Sequence, residues 1–183
     1  MKKIETERLI LREIELKDTK NIFNAILNNK DTLYFLDWPF CENINEAKIF
    51  INKLIEDHNN LKHYCWVIQE KNTDNFVGCI LICNVCEEKR MAEIEYVANI
   101  EYRGRGYIPE AYRKVIEYLI KECNFYRIEA VCNIENIASS RVMEKSGMKF
   151  EGILRSRVID KNNIRNDLVS YSITKDEYFN SLN

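Results

Sequence analysis

Glycine, proline and histidine are scarce in this chain, with five, two and two copies in 183 residues. So few chain breakers leave no low-complexity tract or linker, and no internal repeat is present, so one domain over residues 1–183 is expected. No apolar run approaches the roughly 20 residues that cross a bilayer, and the charged start MKKIETERLILRE lacks the apolar stretch of a signal peptide. A cytoplasmic protein without a membrane role is expected. The formal net charge of −2 supplies no field to hold nucleic acid or an anionic membrane, so neither is a primary partner. The seven cysteines are odd in number and follow no disulfide framework, which reads as reduced thiols. Cys79, Cys83 and Cys86 have a metal-like spacing but sit in a strand-like apolar run. His58 and His63 are poorly placed to join them, so no metal is expected.

What is present is ample core-forming material: 46% hydrophobic, 31% charged and 11% aromatic residues, enough to offset the entropy of ordering the chain. ERLILREIE alternates, setting Leu9 and Leu11 opposite Ile10 and Arg12, and reads as a strand. Asp18 is then the expected N-cap of a helix over DTKNIFNAILNN. Asn43 or Asn45 caps a second helix, and between them FLDWPF reads as a loop with an exposed Trp38 beside Pro39. HYCWVIQEK and NFVGCILICNV form a hairpin across NTDN, and MAEIEYVANI is a further strand. Ile108, Tyr112, Val115, Ile116, Leu119 and Ile120 mark a helix with one buried face. YRIEAVCNI is a strand, NIASSRVMEKSG a short helix closed by Gly147, and the last hairpin turns across KNNI.

Two of the five glycines fall in EYRGRGYIPEA, between a strand and that helix. Glycines there let the backbone approach a ligand and aim several amides at one spot, where the helix dipole adds positive charge. The loop suits a phosphate. Gly106 is followed by Tyr107 and Ile108 rather than Lys and Ser or Thr, so it is not an ATPase loop, and Pro109 stands where a dinucleotide fold needs a third small residue.

With its flanks, the stretch resembles the acyl-coenzyme A loop of the GNAT superfamily of N-acetyltransferases. That pattern is Gln or Arg, two residues, Gly, one residue, then Gly or Ala; here Glu101 takes the first place and Arg103 and Arg105 supply the positive charge. The likeness continues through AEIEYVANIEYRGRGYIPEA, YRIEAVCNIENIASSRVMEKSGMKFEG and DKNNIRNDLVSYSI, and TERLILREI resembles the first strand of the subgroup that acetylates ribosomal-protein N-termini. It covers essentially the whole chain. The implied fold is α/β (α+β): a mixed central sheet of about seven strands with a splayed parallel pair, flanked by about four helices.

The resemblance implies acetyl-CoA as cosubstrate, its pantetheine arm between the splayed strands with Val97 and Asn99 as main-chain partners. Its diphosphate would meet the amides of Arg103, Gly104, Arg105, Gly106, Tyr107 and Ile108. Asn133 and Asn136 resemble coenzyme-contacting asparagines, Asn136 being equally a helix N-cap. Glu93 resembles the family's general base and is preferred to Glu95, which shares its strand face. Met143 stands where many relatives carry a tyrosine acid; the resemblance to the ribosomal subgroup, which has a serine at the position of Ser139, implies Ser139 as the candidate proton donor to the sulfur, directly or by water, or else it is a helix N-terminal hydrogen-bonding group. Trp38, Phe40 and Tyr171 are candidate walls of an acceptor groove, or core aromatics.

The resemblance implies an amine acceptor. An α-amine of pKa about 8 costs roughly 1.4 kcal/mol to deprotonate at pH 7 and a lysine of pKa about 10.4 costs roughly 4.6, which puts a protein N-terminus ahead. A small polyamine or antibiotic amine is the alternative within the enzyme class. A non-catalytic acyl-CoA binder and an RNA-binding RGR loop stand outside it. A monomer or homodimer is expected.

Overall fold

The computed structural model describes residues 2–59, 64–161 and 163–182; His63 and Asn162, part of two sequence-based readings, lie outside them. Eight strands form one sheet: β1 (Ile4–Glu5), β2 (Leu9–Glu13), β3 (Tyr64–Glu70), β4 (Phe76–Cys86), β5 (Met91–Ala98), β6 (Arg127–Asn133), β7 (Lys149–Ile159) and β8 (Arg165–Thr174). They lie in the order β1-β2-β3-β4-β5-β6-β8-β7. Every neighbouring pair is antiparallel except β5 and β6. Five α-helices join them: α1 (Thr19–Ile22), α2 (Ile44–Asn59), α3 (Tyr107–Lys121), α4 (Ile137–Lys145) and α5 (Lys175–Asn180). The sheet therefore has one strand and the fold one helix more than expected.

The two faces of the sheet follow the period-two alternation of its strands. Leu9, Leu11, Trp66, Ile68, Ile80, Ile82, Ala92 and Ile94 point to one side, where they pack against the α3 stripe of Ile108, Tyr112, Val115, Ile116, Leu119 and Ile120. Cys65, Val67, Cys79, Leu81 and Val97 point to the other, against Ile22, Ile26, Leu33, Trp38 and Ile51. Trp38 is thus buried rather than exposed, its ring edge-on to Phe50 at 5.1 Å. Cys79 and Cys83 are buried free thiols, as read from the apolar run around them.

The first helical segment departs from the sequence reading. It is broken into a 3-10 turn (Leu16–Asp18), α1 and a π-helical turn (Phe23–Leu27). Asp18 makes no N-cap bond to α1. Its carboxylate instead takes both Arg12 guanidinium nitrogens, at 2.6 and 2.8 Å, and the Glu15 amide at 2.9 Å. A bidentate charged partner outcompetes a single capping bond. Asn43, not Asn45, caps α2, accepting from the amides of Asn45 and Glu46.

Candidate active site

The parallel pairing of β5 and β6 is short, joining Met91 to Arg127, Ala92 to Ile128 and Glu93 to Glu129. Beyond Glu93, β5 keeps its ladder to β4 as far as Ala98, and β6 keeps its ladder to β8 as far as Asn133. Each strand is held on its outer side only, and a gap opens between them. Which backbone groups face that gap follows from one bond. The Asn99 amide donates to the Val77 carbonyl at 2.9 Å. Because amide direction alternates along an antiparallel ladder, Val97 also turns toward β4, and Ile94, Tyr96 and Ala98 turn toward the gap. The Ile94 carbonyl accepts the Tyr112 hydroxyl at 2.8 Å and the Ala98 carbonyl accepts the Arg103 guanidinium at 3.4 Å, as groups free of the ladder can.

The main-chain positions expected at Val97 and Asn99 thus shift by one residue. Asn99 is occupied within the fold. Its side-chain amide donates to Phe76, its side-chain oxygen accepts from Glu101, and its carbonyl accepts from Tyr102.

At the open end of the gap the chain makes a 3-10 turn (Ile100–Tyr102) and then the glycine loop into α3. Gly104 and Gly106 have φ of +77° and +79°, in the left-handed region that only glycine enters without strain. A Cβ on Gly104 would meet nothing within 4 Å, so the loop is an open cradle rather than a packed turn. Among the described residues, none of the amides from Gly104 to Ile108 donates a hydrogen bond to the protein. Tyr107 and Ile108 occupy the first helical turn, where orphan donors and the dipole together favour an anion.

This loop is braced from the far end of the chain. The Glu110 carboxylate accepts the Thr6 hydroxyl at 2.5 Å, the Arg8 amide at 3.0 Å and the Arg8 guanidinium at 2.6 and 2.7 Å. Arg8 also donates to the Arg105 carbonyl at 3.1 Å and stacks over Tyr107, whose hydroxyl donates to Glu70. Burial pushes the Glu110 carboxyl up, but the Thr6 and Arg8 donors outweigh it and hold it below its usual range. The brace is therefore complete at neutral pH and is lost as pH falls through that lowered value. Sequence reading missed Arg8 and Glu110, since their pairing spans 102 positions.

Glu93 and Glu95 lie on the α2 face of β5, Glu93 at the last paired position and Glu95 two residues into the gap. Glu93 accepts from the Asn84 side-chain amide at 2.8 Å and Glu95 from the Cys83 thiol at 3.4 Å. The three ligand-type atoms of Cys83, Glu93 and Glu95 lie within 4.8 Å of one another. Burial first, then both carboxylates, push the Cys83 thiol far up, so it stays protonated and serves as a donor. Two carboxylates at the head of a gap suit proton removal from an amine.

Across the gap, α4 begins at Asn136, whose side chain accepts from the Ser139 amide at 3.2 Å and so is the N-cap. Asn133 turns its side-chain oxygen to the Glu135 amide at 2.9 Å. Ser139 is buried in the first turn of α4, and Met143, one turn on, is buried beneath it. Phe40 is exposed, whereas Tyr171 is buried and donates its hydroxyl to Glu144 at 3.0 Å.

The Acetyltransferase (GNAT) domain family model matches residues 8–149. This chain belongs to the GNAT family. It is 34% identical over 175 residues to the uncharacterised N-acetyltransferase YnaD of Bacillus subtilis, covering 96% of this chain and 98% of that protein. It is 28% identical to YdaF of the same organism, provisionally named a ribosomal N-acetyltransferase, over 94% of each chain. The crystal structure of a GNAT-family acetyltransferase from Bacillus anthracis superposes with a TM-score of 0.84 at 28% identity, covering 96% of this chain and 99% of that one. The GNAT chain described here is an acetyl-CoA-dependent N-acetyltransferase. No helix among its described residues is long and apolar enough to cross a membrane.

Proposed function

We propose that this enzyme transfers acetyl from acetyl-CoA to a protein N-terminal α-amine. The observation that carries the coenzyme's seat is the gap beyond Glu93, ending in an open glycine cradle with unpaired amides. The diphosphate sits on the amides of Gly104 to Ile108, the Arg103 amide expected to join them being bonded instead to the Ile100 carbonyl at 3.3 Å, with Arg103 and Arg105 adding charge. The dipole alone is worth roughly 0.3 to 2 kcal/mol, so these contacts must add to it. The pantetheine arm runs along the backbone of Tyr96 and Ala98, with Asn133 and Asn136 on the opposite wall. Glu93 takes the amine's proton directly or through water, with Glu95 beside it, and Ser139 faces the leaving sulfur. No metal takes part.

The α-amine acceptor follows from the small cost of deprotonating it at neutral pH and from the likeness to YdaF. Free CoA release should be fastest with N-terminal peptides carrying an unblocked α-amine, and slower with spermidine, an aminoglycoside and N-blocked lysine peptides. A panel in which every N-terminal peptide is inert would end this reading. Arg8→Ala is expected to raise the KM for acetyl-CoA roughly three- to tenfold, as partly exposed charged hydrogen bonds are lost. kcat and the KM for the amine should stay within twofold. An unchanged KM for acetyl-CoA would show that the brace does not set the loop.

A further inference from the structure

Along β4, alternation sends Cys79 and Leu81 to the α2 side of the sheet and Ile80 and Ile82 to the α3 side. Cys83 stands opposite Glu93 in the ladder and shares its α2 side. The next residue, Asn84, should therefore turn to the α3 side, away from Glu93. Instead its side-chain amide donates to Glu93 Oε2 at 2.8 Å. The ladder shows why. Cys83 pairs with Glu93 but Cys86 pairs with Met91, so Asn84 and Val85 together oppose Ala92 alone. That is a β-bulge, and Asn84, its first residue, has φ of +49°. Bulges re-aim side chains in this way, and glycine is the residue that enters such a left-handed position without strain. Here two consecutive residues both reach carboxylates of β5, the Cys83 thiol at Glu95 and the Asn84 amide at Glu93.

We infer that Asn84 is a positioning residue for the base. The bulge carries a neutral donor onto Glu93, pinning Oε2 and leaving Oε1 to take the amine's proton. Among the described residues, Oε1 has no partner. A carboxylate held at one oxygen has its torsions set before the amine arrives, so that freedom is not lost again in each turnover.

The chemistry of the donor suits that role. A lysine or arginine in its place would hold the carboxylate more tightly, but would favour the charged form and make a poorer base. An amide fixes direction without adding charge. Asparagine also enters the left-handed region more readily than most side chains, and Asn124 and Asn163 do so elsewhere in this chain. The dihedral alone therefore assigns no role to Asn84, and the bond to Glu93 does.

This inference rests on Glu93 as the base, and the experiment tells the two apart. Glycine takes the left-handed conformation without strain, so Asn84→Gly keeps the bulge and deletes only the donor. Its melting temperature should stay within roughly 3 °C of the wild type. Its kcat should fall roughly tenfold while the KM for acetyl-CoA is unchanged, since a charge-assisted bond at the base is lost and the glycine cradle is not touched. Asn84→Asp keeps the shape and tolerates the same φ, but it has no amide proton and sets a like charge against Glu93, so it should lose at least as much. In a Glu93→Gln chain, Asn84→Gly should cost less than about twofold, because no base is left to position. That double variant keeps the comparison valid should glycine loosen the bulge. Wild-type kcat in Asn84→Gly, or the same fractional loss with and without the Glu93 carboxylate, would overturn the positioning role and leave Glu93 as the base. Wild-type turnover in Glu93→Gln alone would remove the base and the positioning role together.

Discussion

Glu93→Gln is expected to lower kcat by roughly 10²- to 10⁴-fold, the range of positioned acid–base groups. That corresponds to about 2.7 to 5.5 kcal/mol of barrier. Glutamine keeps the shape and can still accept from Asn84 Nδ2, the bond that fixes Glu93 at 2.8 Å, so the loss reports the missing proton acceptor. The KM for acetyl-CoA should not move, because the carboxylate lies on the α2 face of β5 and the glycine cradle at its far end. Glu95→Gln, whose residue is exposed and lies two residues past the last position paired to β6, should cost less than tenfold. Steady-state kinetics on both variants decides the matter. Wild-type turnover in Glu93→Gln would remove it as the base, and a large loss in Glu95→Gln alone would move the role by two residues.

Gly78→Ala should be the most damaging single methyl in the molecule. Gly78 faces Ala98 across the β4–β5 ladder, and a Cβ there would stand 2.3 Å from the Val97 carbonyl oxygen, with the Ala98 Cα at 3.2 Å. Neither atom is the end of a flexible side chain, so the strands themselves must separate. Overpacking of this kind costs roughly 1 to 3 kcal/mol. At about 2–4 °C per kcal/mol for a chain of this size, the melting temperature should fall by several degrees. The displaced backbone is the one that borders the gap, so acetyl-CoA affinity should weaken even well below the melt. Thermal unfolding followed by circular dichroism, with coenzyme titration, tests both; a wild-type melting temperature would refute the clash.

How much of this was legible beforehand depended on whether the decisive contact was local. The α3 stripe and the glycines before it could be read because periodicity and dihedral demands are written in neighbouring residues. Asp18 was misread because its partner, Arg12, lies outside the helix it was expected to cap, and Trp38 because a proline beside it suggested an open loop. The α5 helix carried a readable signal that was passed over: Thr174 and Glu177 form a capping box, with both reciprocal bonds present. In the site, Glu93, Glu95, Ser139 and the loop were picked out by pattern, and the fold sets them around one gap between β5 and β6. Val97 and Asn99 were placed one residue off because alternation tells which face a side chain takes, while the edge an amide faces depends on the partner strand's register.

The brace between Arg8 and Glu110 also ties the shape of the anion cradle to the amino-terminal strands. Its stiffness is borrowed from a hairpin almost at the amino end, so neither the loop nor α3 can set its final shape alone. A molecule held on those amides must in turn steady the amino-terminal edge of the sheet, because linkage between two such sites runs equally in both directions. The chain's first residues are thereby answerable to its cosubstrate.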